Sequence, residues 1–220
     1  MTRYTRTLSL FTTSILVGAT GSALAESPTA LRSGAMPAVE SGLEIVVGAS
    51  AASSTGDIGA GMNAEDVVGS PGQVELQIGY RLTPQFTLGF YSTAHGLSES
   101  PAGASSDVYG ATAGLEIDMH ARPDAAIDPW ISVGSGLRAL WIQDDRDSVL
   151  IGLEVARLQL GVDFRVNEDV AIGPVLGASA SFYGAHKSPT MDFHEIDDKG
   201  VNWMFSAGVA GRFNAFGTRR

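Results

Sequence analysis

Three residues in the first half of this sequence have side chains that could do hydrolytic chemistry. His95, Ser98 and Glu99 lie close together, and a serine nucleophile, a histidine base and an orienting carboxylate would suit a lipid hydrolase. A catalytic triad is defined by geometry, however, and a loop rich in Ser, Gly and Glu produces this combination easily. We therefore expect no catalytic residue and no enzymatic activity, and we keep a lipid hydrolase as an alternative.

A second group of reactive side chains lies near the C-terminus. One loop contains His186, Asp192, His194, Glu195, Asp197 and Asp198. Carboxylate oxygens would suit calcium and the two histidines would suit zinc. No spacing typical of a metal motif is present, and a similar acidic loop contains Asp144, Asp145 and Asp147. The sequence thus favours solvated acidic loops, and we expect no metal site and no cofactor.

The segments between these loops alternate apolar with small or polar residues. From residue 73 to residue 82, Val74, Leu76 and Ile78 share one face while Glu75 and Gln77 share the other. A period of two is typical of a strand with one apolar face. The predicted strands cover residues 43–51, 73–82, 86–94, 108–121, 130–142, 149–166, 170–182 and 201–213. A change of phase near Val155 and the mid-strand Pro174 each predict a bulge.

The connections after the even-numbered predicted strands are short, and three of the four after the odd-numbered strands are long. Bacterial membrane barrels have short periplasmic turns, longer outer loops and an even number of antiparallel strands. Beyond the N-terminal region, no apolar run of about 20 residues is available for a spanning helix. The pattern predicts an all-β fold, an eight-stranded antiparallel up-and-down transmembrane β-barrel.

The predicted domain organisation places this barrel behind an export signal. A basic start, an apolar stretch and the small-x-small sequence ending at Ala25 predict a signal peptide over 1–25. Residues 26–42 are predicted as a flexible lead-in, 43–216 as the barrel and 217–220 as a tail. The chain has 14 Lys+Arg, 24 Asp+Glu and no cysteine, which argues against nucleic-acid binding and excludes a disulfide framework.

The polar face of the predicted strands carries many glycines and a balanced set of charges. In a narrow eight-stranded barrel the interior has room only for side chains, and buried charges must be neutralised by partners. The phase of the alternation turns five acids and five bases inward: Glu44, Glu75, Glu116, Asp118, Asp163, Arg81, Arg138, Arg157, Arg165 and Arg212. We interpret them as an ion-pair network that fills an occluded lumen.

Aromatic residues on the apolar face fall into two groups. Tyr80, Phe86, Phe164 and Phe213 lie near the short turns, and Tyr109, Trp141, Phe182 and Trp203 lie near the long loops. Two aromatic belts are typical of a barrel that crosses both water–lipid interfaces.

The glycine-rich segment from Val133 to Leu137 and the aromatic last strand from Trp203 to Phe213 resemble those of small eight-stranded outer-membrane barrels, such as the OmpA transmembrane domain and OmpX- and OmpW-like proteins. Members of this group usually end on an aromatic residue, whereas here Phe216 is followed by four more residues. Either Phe213 or Phe216 would act as an internal assembly signal, or assembly differs from that of the group.

The resemblance implies a non-enzymatic protein of the Gram-negative cell outer membrane with a structural or surface-interaction role. Its implied partners are outer-membrane lipid and lipopolysaccharide, the barrel-assembly machinery and a surface ligand bound through extracellular loops. A narrow channel for ions or small hydrophobic solutes is the first alternative. A soluble periplasmic barrel that holds a ligand is another.

Overall fold

The computed structural model describes residues 37–59, 62–68, 70–97, 107–143, 148–188 and 191–219. The predicted signal peptide, residues 26–36 of the predicted lead-in, Ser98, Glu99 and the acidic loop with Asp144, Asp145 and Asp147 lie outside the described residues. No helix in the described ranges is long and apolar enough to cross a membrane.

Eight long strands form a closed antiparallel barrel, which confirms the predicted fold. Each long strand pairs with the next, and the last pairs with both its predecessor and the first. The elements are β1 (Val39–Gly59), β2 (Met62–Asn63), α1 (Ala64–Val67), β3 (Gly72–Thr83), β4 (Phe86–Leu97), β5 (Asp107–His120), β6 (Ile127–Gln143), β7 (Ser148–Arg165), β8 (Val170–Ser188), β9 (Met191–Glu195) and β10 (Asn202–Arg219). The short strands β2 and β9 extend the ends of β1 and β8.

Several strands are longer than the sequence pattern indicates. β1 begins at Val39 and β10 ends at Arg219, because the two strands pair along their whole lengths and Val39 lies opposite Arg219. At the other end, β1 continues to Gly59 and β8 to Ser188, through segments predicted as loops. Small and polar residues conceal these extensions, because a ladder needs only backbone donors and acceptors.

One predicted bulge is present and the other is not. The register of β7 shifts between Glu154 and Ala156, next to Val155, and β6 shifts opposite it. The bulge predicted at Pro174 is wrong. Pro174 lies opposite Val209 in an unbroken register with β10, and the pairing with β7 has the same register before and after it.

The barrel has an apolar outside and a polar inside at the level of its middle. All eight long strands expose large apolar side chains outward, and Leu115 and Leu137 are each 65 % exposed. The apolar rows therefore do not pack against one another as a dry protein core. The short-turn end of the barrel carries the turns at 84–85, 121–126 and 166–169 together with Val39 and Arg219. The long-loop end carries the other connections.

Apolar side chains close the interior at the long-loop end. We call these residues the apolar cap: Ile58, Ala64, Val68, Val108, Leu140, Leu150, Tyr183 and Ile196. They come from the extended strands, from the short helix α1 and from the residue that follows β9. The segments predicted as polar loops thus have a hydrophobic core of their own.

Candidate functional site

The structure places the ten predicted lumen charges inside the barrel or at its short-turn end. Eight are buried, and Glu75 and Arg165 are half-buried. Arg165 lies near the short-turn end, where its guanidinium donates to the carbonyl oxygens of Pro123 at 2.8 Å and Pro37 at 3.0 Å. The alternation of period two positions the others, because it turns alternate side chains of each strand toward the axis.

The densest group of charges lies toward the short-turn end, and we call it the lower cluster: Glu44, Arg81, Asp118, Asp163 and Arg212. Glu44 accepts hydrogen bonds from both Arg81 and Arg212. Arg212 Nε lies 2.7 Å from Asp163 Oδ2, and Arg212 Nη1 lies 3.4 Å from Asp118 Oδ2. The single guanidinium of Arg212 thus contacts three carboxylates on three other strands.

Other buried groups complete the lower cluster. Trp130 Nε1 donates to Asp163 Oδ1 at 2.9 Å, and the Arg212 guanidinium carbon is 4.9 Å from the centroid of the Trp130 ring. His120 Nδ1 is 2.8 Å from Asp128 Oδ2, and its Nε2 is 3.3 Å from Arg81. The Trp130 ring therefore helps to position Arg212, and His120 helps to position Arg81.

The second group, the central cluster, lies in the middle of the barrel and contains Glu75, Glu116, Tyr91, Glu154 and Arg157. Arg157 Nη2 lies 2.6 Å from Glu75 Oε2, and its Nε lies 3.9 Å from Glu116 Oε2. The Arg157 guanidinium carbon is 4.2 Å from the centroid of the Tyr91 ring, whose hydroxyl donates to Glu154. Tyr91 is fully buried and blocks the axis at this level.

Gln77 and Gln159 link the two halves of the lumen wall. Gln159 Nε2 donates to Glu75 Oε2 at 3.0 Å, and Gln77 Nε2 donates to Gln159 Oε1 at 3.2 Å. Amide groups can donate and accept at once, so this pair continues the network where no further charge is present.

Arg138 lies nearer the long-loop end and differs from the other buried arginines. It is 3 % exposed. Its Nη1 donates to Ser181 Oγ at 2.8 Å and approaches Asn202 Oδ1 at 3.4 Å. Within the described ranges, the salt bridges do not include Arg138.

Glycines make room for aromatic rings rather than only for charged side chains. A Cβ atom added at Gly114 or Gly136 would lie 2.7 Å from Tyr91, and one added at Gly161 would overlap the Trp130 ring. The flat rings lie directly against the bare backbone of the neighbouring strands, since Tyr91 pairs with Gly114 and Trp130 pairs with Gly161. The glycines at 134 and 136 therefore leave the space that the Tyr91 ring occupies.

The interior is filled almost completely. A cavity beside Glu154 and Arg157 and another beside Asp163 and Arg212 have volumes of about 20 Å³ each, which is enough for about one water molecule. Above them the apolar cap covers the long-loop end. The arrangement can hold charges in a fixed network.

Three charged lumen residues lie outside the predicted set of five acids and five bases. These are His120, Asp128 and Glu154, all buried. The described residues include six buried carboxylates and four buried arginines, so the interior has an excess of acid. Alternation alone would have assigned His120 inward, two residues after Asp118. Glu154 was missed because the bulge beside it changes the phase.

The eight predicted belt aromatics point outward. Seven are exposed and Phe182 is half-buried. Tyr109 lies opposite Trp141 near the long-loop end, and Phe164 lies opposite Ile127 near the short-turn end. They form two groups at the two ends of the apolar surface.

Of the three residues singled out for catalysis, His95 lies within the described residues, whereas Ser98 and Glu99 lie outside them. His95 lies in β4, 4 % exposed, and its side chain packs against Gly110. It was predicted in an outer loop, but the strand continues through it with its side chain turned inward.

The histidines of the C-terminal loop are brought together. His186 lies directly opposite His194 in the β8–β9 hairpin, with His186 Nδ1 3.4 Å from His194 Nε2. Partial burial and the neighbouring His194 lower the pKa of His186. On the same hairpin, Lys199 Nζ lies 2.5 Å from Glu195 Oε1. This hydrogen bond lowers the pKa of the Glu195 carboxyl.

Ligand atoms of Glu44, Asp118 and His120 lie within 4.8 Å of one another. Such a set resembles a metal site in composition. Glu44 already contacts the guanidinium groups of Arg81 and Arg212, and Asp118 contacts that of Arg212 as well. Arginine thus occupies the place that a cation would take.

No protein-family model matches this chain, and no curated protein matches it. Solved structures with similarity to it include Neisserial surface protein A (NspA), at 19 % identity over 78 % of this chain and 97 % of that chain, TM-score 0.49. The outer membrane protein OprG from Pseudomonas aeruginosa is 12 % identical over 82 % of this chain and 99 % of that chain, TM-score 0.49. The N-terminal β-barrel domain of Pseudomonas aeruginosa OprF is 15 % identical over 78 % of this chain and 98 % of that chain, TM-score 0.44. The fold assignment of this chain rests on its own strand pairings.

Proposed function

We propose that this protein is exported by a cleaved signal peptide and spans the outer membrane of a Gram-negative cell as a closed, non-enzymatic barrel. One observation carries the proposal: the outward face is apolar around the whole barrel while the ion pairs lie inside. A soluble barrel that holds a ligand would have the reverse arrangement, because water favours polar groups outside. The two aromatic groups match the two interfaces of a membrane.

The work of such a barrel is structural and interactive rather than chemical. The lower and central clusters and the apolar cap fill the axis, so we infer that its contribution to the envelope comes from its lipid-facing wall and its outer surface. The long-loop end would face lipopolysaccharide and surface ligands, and β10 would be the strand that the barrel-assembly machinery reads.

The location is tested by fractionation and heating. We expect the protein in the outer-membrane fraction, released only by detergent, with a gel mobility that changes after boiling. A protein recovered in the soluble periplasm would contradict the proposal, because an exposed apolar wall of this size is not compatible with water.

A narrow channel is the second candidate, and one observation favours it. Several buried polar atoms of the lumen have no protein partner, among them Thr87 Oγ1, Thr112 Oγ1 and Asn202 Nδ2, and such atoms usually contact ordered water. Planar-bilayer recordings separate the candidates. A closed barrel gives no current steps. Steps from the unaltered protein that Arg138→Ala changes would favour the channel.

A further inference from the structure

We propose that His186 and His194 form a surface site for a transition-metal ion such as Zn²⁺. The proposal concerns the hairpin of β8 and β9, beyond the membrane-spanning part of the barrel. It assigns a ligand to two of the four histidines in the chain. It is independent of whether the lumen is closed.

The spacing of the two nitrogens carries the proposal. His186 Nδ1 and His194 Nε2 are 3.4 Å apart. Two nitrogens bound to one tetrahedral Zn²⁺, with Zn–N distances of about 2.0–2.1 Å, are separated by about 3.3–3.4 Å. Imidazole nitrogen is a favoured ligand for Zn²⁺ and a poor one for Ca²⁺, which prefers oxygen. The pair thus selects a transition metal rather than the calcium that the acidic composition suggests.

The hairpin holds the pair in position before any ion arrives. His186 and His194 are direct cross-strand partners, and His186 also lies opposite Leu150 of the apolar cap. Ile196, two residues after His194, is buried in that cap, and its backbone N–H donates to the Gly184 carbonyl at 3.0 Å. Both strands that carry the ligands are therefore anchored, which lowers the entropic cost of binding.

Other groups on the hairpin frame the site. Asp192 lies two residues before His194 and is exposed, but its carboxylate does not form a compact three-residue group with the two imidazoles, so water would supply the remaining coordination positions. Lys187 and Phe193 occupy the opposite face, where Lys187 Nζ is 5.3 Å from the Phe193 ring centroid. Their position on that face separates the lysine ammonium from the two imidazoles.

Calorimetric titration of ZnCl₂ into the full-length protein in detergent micelles tests the site. We expect one Zn²⁺ per barrel. We expect His194→Ala and His186→Ala each to weaken binding at least tenfold, and Asp192→Asn to weaken it by a smaller factor. Phe193→Leu, on the opposite face of the same hairpin, is the matched control and keeps the affinity of the unaltered protein. A heat-dependent gel shift shows that each variant has folded.

Competition and proteolysis distinguish the histidine pair from a general acidic surface. A hundredfold excess of Ca²⁺ leaves Zn²⁺ bound if the ligands are imidazoles. Zn²⁺ slows tryptic cleavage after Lys187 severalfold in the unaltered protein and leaves it unchanged in His194→Ala. Displacement by Ca²⁺, full binding by a folded double variant, or no Zn²⁺ binding by the unaltered protein would each overturn the proposal.

Discussion

The inward-facing side chains change from charged to apolar along the same strands. On β6, Arg138 and Leu140 both point inward two residues apart, and one belongs to the polar lumen and the other to the apolar cap. On β8 the same change separates Ser181 from Tyr183. The difference shows that the type of inward-facing side chain depends on the position along the barrel axis. Inside hydrocarbon a paired polar interior is stable, whereas above it only apolar packing separates the interior from water.

The outward face supports this comparison. Trp141 follows Leu140, and Trp203 follows Asn202, a ligand of the Arg138 guanidinium. Both tryptophans are exposed. In the proposed membrane orientation, the belt nearest the long loops and the inward change of polarity lie at the same height. Two independent features thus mark one interface.

The largest effect is expected in the lower cluster. Arg212→Met leaves the three carboxylates of Glu44, Asp118 and Asp163 without their shared cation, and removing one partner of a buried ion pair costs about 3–5 kcal/mol. Urea-induced unfolding in lipid vesicles measures the loss. Lys199→Met, which breaks the exposed pair with Glu195, is the matched control and is expected to change stability far less, because solvent screens exposed ion pairs. Equal effects of the two substitutions would show that the lumen pairs do not stabilise the barrel.

A second substitution acts on the cap alone. Leu140 is fully buried, and Leu→Ala in a packed core costs about 2–5 kcal/mol. We expect Leu140→Ala to increase protease cleavage of the long loops while the heat-dependent gel shift remains. Leu137→Ala, on the exposed outer face of the same strand, leaves the cleavage pattern unchanged. If both variants digest like the unaltered protein, the cap does not behave as a separate core.

A smaller effect is expected where a ring meets glycine in the lumen wall. An added Cβ at Gly136 would lie 2.5 Å from the Ala113 carbonyl oxygen and 2.7 Å from Tyr91 Oη, so Gly136→Ala forces the backbone of β5 and the Tyr91 ring to shift, and overpacking costs about 1–3 kcal/mol. The measurement is again urea unfolding. Gly72→Ala is the control, because nothing lies within 4 Å of its added Cβ. A neutral Gly136→Ala would mean that the ring is not held against the wall.

The smallest effect is expected outside the membrane. The pKa of Glu195 lies below its usual value because of its hydrogen bond to Lys199. The bond contributes stability above the unfolded-state pKa, and this contribution is lost as the pH falls through the lowered folded-state pKa. An NMR titration of Glu195 should therefore show its pKa rising toward the usual value in Lys199→Met. No change in that variant would place the Lys199 side chain elsewhere in solution.

Alternation of residues predicts the barrel and most of the lumen charges, because a strand turns every second side chain to one side regardless of its partners. It predicts Glu44 and Arg212 as inward but not their contact, since they lie far apart in sequence and meet only through the pairing of β1 with β10. It fails at Glu154, where the bulge changes the phase. The inference that a mid-strand proline marks a bulge fails at Pro174, where the strand keeps its register with β10.

The apolar cap cannot be predicted from the sequence, for a different reason. The helix α1 has four residues, which is too short for a helical period to be recognised. Ile58 and Ile196 are single apolar residues in segments dominated by Gly, Ser and Asp, and each finds its neighbours only when distant connections meet. Local sequence patterns contain no information about contacts between residues that lie far apart in the chain. The histidine pair has the same origin, because it depends on the register of a hairpin rather than on spacing.

The pairing of β1 with β10 closes the barrel and therefore constrains the order in which this protein can fold. Ser41 Oγ and Thr218 Oγ1 are 2.8 Å apart although 177 positions separate them in the chain. Contacts of such long sequence separation slow folding, because the loop-closure entropy is lost before the contact is gained. The strand that supplies Arg212 to the lower cluster is also the last of the described barrel strands in chain order. We expect closure to be a late and cooperative step, and a chain truncated before β10 to remain open, with Glu44 left without one of its two arginines.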